Sequence, residues 1–190
     1  ERAATGADTP DSSRNSASYG LSRTTTTRAD TTLKQVTYYT GTEPGEEVTS
    51  WSKEYNYNGT QVKTLTVYNV DTEGVMLDST VYKNVVTTND PDALPAPEDL
   101  TDTAQYLKKS FTDYVGTVKG QEKADYTRNF KADGSTIDTT TTYYYYAGVY
   151  TSPDVLPPDT DYGDPRPAEQ ASDAQGHVNA DSYMMRTVTV

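Results

Sequence analysis

The chain contains no cysteine among its 190 residues. This absence excludes disulfide bonds, thiolate catalysis and cysteine-ligated metals. Apolar runs long enough to cross a bilayer are also missing, so we predict no membrane span. Histidine occurs once, as His177. No serine or cysteine nucleophile can be paired with it from the sequence, and we interpret it as a surface residue.

Large apolar residues are scarce. Leu (8), Ile (1), Val (16) and Phe (2) together make 27 residues, which with a net charge of −12 is typical of disordered chains. Two residue types argue against disorder: the chain has 17 Tyr and 33 Thr. Aromatic and β-branched residues fit a pleated, half-buried surface. The composition therefore predicts a β-rich protein with a thin core.

Positive charge is also scarce, because 16 basic residues stand against 28 acidic ones. The basic residues are scattered and form no patch. Nucleic acids and anionic lipids are bound by a basic surface. We therefore expect neither as a partner.

The sequence resembles itself at an offset of 75 residues. Without a gap, residues 37–68 and 112–143 share 10 identities over 32 positions, where roughly 2–3 are expected by chance in so biased a composition. We therefore predict a tandem repeat of about 75 residues. The identical positions in the first copy are Thr37, Tyr39, Gly41, Thr42, Gly45, Glu47, Gly59, Thr64, Thr66 and Tyr68.

Each copy contains a strong hairpin signal, Asn58-Gly59 in the first and Asp133-Gly134 in the second. These dipeptides favour a two-residue type I′ turn, in which both central residues have positive φ. Such turns predict cross-strand pairs of Tyr55 with Val62, Trp51 with Thr66 and Glu54 with Lys63, and in the second copy of Phe130 with Ile137, Tyr126 with Thr141 and Arg128 with Thr139.

Further turn signals extend the first hairpin into a meander with strands at 33–41, 47–57, 60–70 and 75–87. The predicted fold class is all-β, with tandem antiparallel hairpins or meanders and long Pro- and Asp-rich loops. A short helix at 100–110, capped by Asp99 or Thr101, is a further expectation.

The same signals divide the chain into six segments. The first is polar, and we expect a neighbouring chain or repeat to order it. The last matches the opening strand of each repeat and is expected to begin a third copy. The segments are 1–32 (polar), 33–88 (β repeat 1), 89–107 (linker), 108–150 (β repeat 2), 151–183 (acidic Pro-rich loop) and 184–190 (start of a third repeat strand).

Motifs that could carry chemistry are weak, and we assign no catalytic, cofactor or metal residues. Asp159, Asp161 and Asp164 have the close spacing of a calcium loop but lack its distal glutamate, so a solvated acidic loop is the simpler interpretation. Asn58-Gly59-Thr60 is a glycosylation sequon, although the hairpin turn already explains its asparagine.

The stretch TTTTYYYY at 139–146 places tyrosines on both faces of a predicted strand. Three explanations are open. The strand could be covered on both faces within one domain, or one face could pack on a neighbouring chain, or the rings could stack on carbohydrate. The residues expected to matter are packing residues: Trp51, Tyr55, Val62, Tyr126, Phe130, Ile137 and Tyr143–Tyr146.

The glycine-punctuated, tyrosine-rich hairpins resemble the YD repeats of RHS-like surface proteins. The shared elements are Tyr55-Asn-Tyr57-Asn-Gly59 and Phe130-Lys-Ala-Asp-Gly134, with the following Tyr68 and Tyr143. The resemblance implies an extracellular protein built as extended β-sheet from tandem copies. The unit here is longer than a typical YD repeat and lacks a repeated Tyr-Asp dipeptide.

From these observations we expect a non-enzymatic structural protein, located outside the cell or on its surface. It would be a subunit or repeat segment of a fibre, filament or surface coat that assembles with itself head-to-tail through β-strands. The alternative is a monomeric cell-surface adhesion or glycan-binding β module. Its size at high dilution distinguishes the two, because only a filament subunit would exceed 20.9 kDa.

Overall fold

The computed structural model describes residues 20–41, 43–84, 100, 106–146, 168–172, 178 and 182–190. The predicted all-β class is confirmed, and the described residues contain no α-helix. The strands are β1 (Arg23–Thr27), β2 (Leu33–Thr40), β3 (Val48–Tyr55), β4 (Val62–Val70), β5 (Met76–Asn84), β6 (Tyr106–Val115), β7 (Lys123–Phe130), β8 (Ile137–Tyr146), β9 (Ala168–Glu169) and β10 (Met184–Thr189).

Nine of these strands form one antiparallel sheet in the order β1-β2-β3-β4-β5-β6-β7-β8-β10, and β9 pairs with the end of β8. The predicted meander is confirmed for β2 to β5. β5 and β6 pair directly although residues 85–105 separate them along the chain. Residues 23–27 belong to the segment 1–32, which we expected a neighbouring chain or repeat to order. They form β1 and pair with β2 of the same chain.

The predicted helix at 100–110 is wrong for its last five residues, which begin β6. Tyr106 is opposite Asn84 and Ser110 is opposite Val81 in the ladder with β5. Tyr106 is buried whereas Lys108 and Lys109 are exposed. Pairing with the uncovered edge of β5 gives these residues the non-local hydrogen bonds that a short isolated helix lacks.

The two hairpin loops have the same hydrogen bonds at positions 75 residues apart. In the first, Gly59 N–H donates to Asn56 O (3.0 Å) and Asn56 N–H donates to Gln61 O (2.9 Å). In the second, Gly134 N–H donates to Lys131 O (3.0 Å) and Lys131 N–H donates to Thr136 O (2.8 Å). The glycines have φ of 70° and 69°.

The predicted type I′ turn is wrong. Asn58 and Asp133 do not have positive φ, since Thr31 is the one non-glycine residue with positive φ among those described. The glycine is instead the fourth residue of a turn that its own N–H closes. The flanking strands end two residues before, and resume two residues after, the positions that a two-residue type I′ turn would join.

The longer loop is followed by an irregularity that shifts the predicted register. Tyr55–Val62 and Phe130–Ile137 pair as predicted. Lys63 and Asp138 are then skipped, so that every later pair moves by one residue. The observed pairs are Trp51–Val67, Glu54–Thr64, Tyr126–Thr142 and Arg128–Thr140.

The core is thin and lies mainly under the first hairpin. Leu65 is fully buried, and Val36, Tyr55 and Val62 form a small cluster with Leu33 and Tyr38 against it. Ile137, expected to pack like Val62, is 46% exposed. The position 75 residues after Leu33 is the exposed Lys108, so the second hairpin has a cation where the first has an aliphatic side chain.

Candidate functional site: the faces and edges of the sheet

One face of the sheet, the aromatic face, carries rings and cations. It is defined by Tyr38, Trp51, Lys53, Phe111, Tyr126, Arg128, Tyr144 and Arg186, which the cross-strand register places on the same side. At its start, the rings of Tyr38 and Trp51 stack with centroids 3.9 Å apart and planes 7° apart. Lys53 Nζ lies 4.9 Å from the Trp51 ring centroid.

The same arrangement occurs towards the other end of the aromatic face. The Arg128 guanidinium lies 4.6 Å from the Tyr126 ring centroid, and the Arg186 guanidinium lies 4.5 Å from that of Tyr144. A cation over a ring contributes about 0.5–1 kcal/mol at exposed sites. The aliphatic stems of these cations also cover apolar surface. Cationic side chains thus partly cover the rings on this face.

The opposite face, the hydroxyl face, carries a row of directly opposed side chains from six consecutive strands. Thr112 and Thr127 hydroxyls lie 2.8 Å apart, and so do those of Thr141 and Thr189. Cross-strand threonine pairs of this kind stabilise a sheet without apolar burial. The row consists of Tyr68, Ser79, Thr112, Thr127, Thr141 and Thr189.

Three tyrosines of β8, Tyr143, Tyr144 and Tyr145, contact neighbouring strands on the two faces of the sheet. On the hydroxyl face, Tyr143 Oη lies 3.1 Å from Thr127 Oγ1, and Tyr145 Oη donates to Ala124 O at 2.8 Å. On the aromatic face, Tyr144 lies under Arg186. Burial raises the pKa of Tyr145. The predicted alternation is confirmed for these three residues.

Two glutamates, 75 residues apart, tie strand starts to loops. Glu47 Oε1 accepts from Leu21 N–H (2.6 Å) just before β1, and Glu122 Oε1 accepts from Met76 N–H (2.9 Å) at the start of β5. The bond from Leu21 lowers the pKa of Glu47. For Glu122, burial acts to raise the pKa, but backbone donors led by Met76 lower it overall. The Glu47–Glu122 identity was the sequence signal for this role.

Sequence reasoning missed Arg28, which follows β1. Its guanidinium donates to Leu33 O (2.7 Å), Tyr57 O (3.2 Å) and Tyr55 O (3.3 Å). One side chain therefore joins the turn between β1 and β2 to the first hairpin loop. Two of the three carbonyl acceptors, those of Tyr55 and Tyr57, lie 27 and 29 residues further along the chain, so no local pattern indicates these contacts.

The outer edge of β1 is paired with no strand in the described part of the chain. Tyr39 N–H donates to Ser22 O (3.0 Å), which makes Ser22 and Tyr39 a hydrogen-bonded pair. In an antiparallel ladder these pairs alternate, so the backbone groups of Thr24 and Thr26 point to β2 and those of Thr25 point outward.

The outer edge of β10 is likewise paired with no described strand. Val190 and Thr140 exchange both backbone bonds, at 3.0 and 2.8 Å. By the same alternation, the backbone groups of Val188 point to β8, and those of Thr187 and Thr189 point outward. Thr187, Val188 and Thr189 are exposed. Neither proline nor lysine, which commonly protect edge strands, occurs in β10.

The motifs considered for chemistry remain without a site. Asp159, Asp161, Asp164 and His177 lie outside the described residues. Asn58 is exposed at the tip of the first hairpin loop. The described residues hold no group of three His, Asp or Glu side chains placed to bind a metal ion. Within that same part of the chain, no helix has the length and apolar character required to span a membrane.

A cleft of about 380 Å³ lies between the loops that join β2 to β3, β4 to β5 and β6 to β7. Its lining includes Glu43, Glu46, Asp71, Glu73 and Lys119. Two of these groups already have structural partners: Asp71 Oδ1 accepts from Glu73 N–H (2.8 Å), and Lys119 Nζ donates to Glu46 O (2.7 Å). Asp71 and Lys119 therefore stabilise the surrounding turns, and we assign the cleft no ligand.

Comparisons of this chain with protein-family models, with curated proteins and with solved structures find no match. The faces and edges of the sheet are therefore the features that bear on function.

Proposed function

We propose that this protein is a structural subunit, or a repeat segment, of an extracellular fibre, filament or surface coat, and that it assembles with itself head-to-tail through β-strands. The observation that carries the proposal is the pair of edges, β1 and β10, that no described strand covers. Exposed backbone donors and acceptors on a strand are a template for another strand.

The second support is the internal similarity. Loop hydrogen bonds, bulge positions and glutamate contacts recur at residues 75 apart, in keeping with a duplicated unit. A sheet made of such units gains new interactions at its edges when it is extended, as in other repeat proteins. The resemblance to YD-repeat surface proteins supports the extracellular location.

The third support is the small core. A sheet whose faces carry threonine ladders and cation-covered rings can lengthen strand by strand, because each added strand brings its own side-chain contacts. Enzymatic function has no support in the described residues, and we propose none.

The backbone directions in β10 provide a test. Thr187→Pro removes an outward N–H and no bond to β8, whereas Val188→Pro removes an inward N–H and one bond to Thr142. We expect the wild type to have a mass far above 20.9 kDa in light scattering and to form filaments in negative-stain images. We expect Thr187→Pro to remain folded and lose assembly, and Thr187→Ala to assemble as wild type.

Val188→Pro is expected to lose assembly and also stability, because β10 then detaches from β8. A wild-type chain that runs as a 20.9 kDa monomer overturns the proposal. Wild-type assembly by Thr187→Pro would show that β10 is not the contact strand.

A glycan-binding β module is the second candidate, and the stacked Tyr38–Trp51 pair favours it. Aromatic rings can serve as platforms for sugar rings. Binding of the monomer to immobilised glycans, lost in Trp51→Ala and accompanied by no assembly, would favour this candidate over the structural one.

A further inference from the structure

The two edge strands carry short sequences that agree at three of four positions. β1 contains Arg23-Thr24-Thr25-Thr26 and β10 contains Arg186-Thr187-Val188-Thr189. These segments lie at opposite ends of the sheet, and each has a neighbouring strand on one side in the described structure. Their likeness suggests that they occupy the same position within the repeated arrangement of strands.

The register shows this equivalence through β5, which has neighbours on both sides. Asp78 of β5 is opposite Asn69 on β4 and opposite Asp113 on β6. Adding 75 to Asn69 gives Tyr144, which is opposite Arg186; subtracting 75 from Asp113 gives Tyr38, which is opposite Arg23. Thus β10 pairs with β8 in the same register as β5 pairs with β4. In the same way, β1 pairs with β2 in the register in which β5 pairs with β6.

The hydrogen-bonding directions agree with the register. Thr24 and Thr26 of β1 direct their backbone groups to β2, and the equivalent Thr187 and Thr189 of β10 direct theirs outward. The outer edge of β10 therefore presents backbone donors and acceptors at the positions equivalent to those through which β1 binds β2.

Strand direction then decides between two ways of joining copies. In the part of the chain that the structure describes, the sheet path has nine strands, each antiparallel to its neighbours, so β1 and β10 run in the same direction. Placing β10 beside β1 of a second copy, with like faces aligned, would make a parallel pair. Placing β10 beside β2 of that copy, where β1 was, keeps the sheet antiparallel throughout, with eight strands per copy.

We propose that copies join by strand replacement: β10 of one copy displaces β1 of the next and pairs with its β2. This inference rests on the proposed function and specifies its contact. The exchange places Val188 opposite Val36, where Thr25 now lies, and Arg186 opposite Tyr38, where Arg23 now lies. Val36 is 7% exposed, so a valine in place of threonine opposite it adds apolar contact.

Introduced cysteines can test this contact, because the chain has none of its own. In one chain β2 and β10 are seven strand spacings apart, about 33 Å. A disulfide between Val36→Cys and Val188→Cys must therefore join two molecules. We expect an equimolar mixture of these two single variants to form a covalent dimer on oxidation, and each variant alone to form little.

A lock on β1 gives the complementary test. Thr25→Cys with Val36→Cys forms a disulfide within one chain, because the two residues are directly opposed in a non-hydrogen-bonded pair. The oxidised double variant cannot release β1, and we expect it to stay monomeric until it is reduced. Thr25→Cys alone is the control and should assemble under both conditions.

The outcomes separate the inference from the function on which it rests. Assembly of the oxidised double variant, or assemblies without a Val36→Cys to Val188→Cys disulfide, would overturn strand replacement and leave a structural role standing. A disulfide between two Val188→Cys chains would indicate a two-fold contact between β10 strands, and would also overturn replacement. Absence of any species above the monomer would overturn both.

Discussion

At the scale of single residues, the hairpin glycines show how a backbone requirement and a close approach coincide. Gly134 has φ of 69°, and a Cβ at this position would lie 2.9 Å from Leu107 Cα. Gly120 has φ of 81° but nothing within 4 Å of such a Cβ. Comparing an alanine substitution at Gly120 with one at Gly134 therefore distinguishes the cost of backbone strain from the cost of steric overlap.

We expect Gly120→Ala to lose about 1 kcal/mol of unfolding free energy, from left-handed backbone strain alone. Gly134→Ala should lose more, about 2–3 kcal/mol, because β6 must also move away from the loop. Urea unfolding of both variants measures the difference. Equal losses would mean that β6 can move away from the second hairpin loop at little cost.

Asp113 is a second residue-scale feature, since the sheet register sets it directly opposite Asp78. Burial, and then the nearby Asp125 and Asp78, raise the pKa of Asp113, while Arg128 opposes the shift. A carboxyl with a raised pKa in the folded state binds more protons there than in the unfolded chain. Asp113 therefore lowers the stability of the fold as the pH rises above 3.8, the ordinary pKa of an aspartate side chain.

We therefore expect Asp113→Asn to raise the melting temperature at pH 7, where the wild-type carboxylate is charged. The gain should diminish as the pH falls towards 3.8, because the wild-type carboxyl becomes protonated. Melting curves across this range provide the measurement, with the exposed Asp138→Asn as control. A gain that persists at low pH would point to packing instead of charge.

At the scale of elements, the loops hold strands that are not their immediate neighbours in sequence. The Glu122 carboxylate lies in the loop between β6 and β7 but binds the first N–H of β5. It is an acceptor for a backbone donor from 46 residues earlier in the chain. The start of β5 is thus held by both the ladder and a side chain.

We expect Glu122→Ala to lower the free energy of unfolding by about 1.5–3 kcal/mol, the range for hydrogen bonds to charged groups. Amide exchange at Met76 should accelerate, because its N–H loses the carboxylate. Glu46→Ala, an exposed neighbour of the equivalent Glu47, is the matched control. Because the folded-state pKa of Glu122 is lowered from 4.5, its contribution should be complete above pH 4.5 and be lost below it, as the pH falls through the lowered folded-state pKa. Unchanged exchange at Met76 would contradict this role.

At the scale of the whole molecule, the sheet formed by the described residues has nine strands on its path, and the strands at its two edges, β1 and β10, are similar in sequence. In the proposed assembly these two properties act together. β10 of one copy takes the place of the equivalent β1 in the next copy, so each copy contributes eight strands. With this even number, the joined sheet stays antiparallel throughout. The disulfide lock on β1 and the proline substitution at Thr187 test this scale.

The local part of this fold could be predicted from the amino-acid sequence. Alternating Tyr, Thr and Val with Gly-containing loops predicted the meander, and the pairs next to each loop, Tyr55–Val62 and Phe130–Ile137, are confirmed. These pairs are set by a loop of a few residues, whose closure involves only near neighbours. Beyond the loop, the skipped Lys63 and Asp138 changed the register, which the dipeptide signal did not indicate.

The remaining features of the fold depend on contacts that form only in the folded chain. The pairing of β5 with β6 across residues 85–105, the bonds from Arg28 to Tyr55 and Tyr57, and the position of β10 beside β8 all join residues far apart in the chain. Such contacts depend on which edge is uncovered and on which register satisfies both neighbours, and a local pattern contains neither. The sequence comparison matched residues 184–190 to the opening strand of each repeat, whereas the equivalence of β10 with β1 and β5 was inferred only from the ladders on either side of β5.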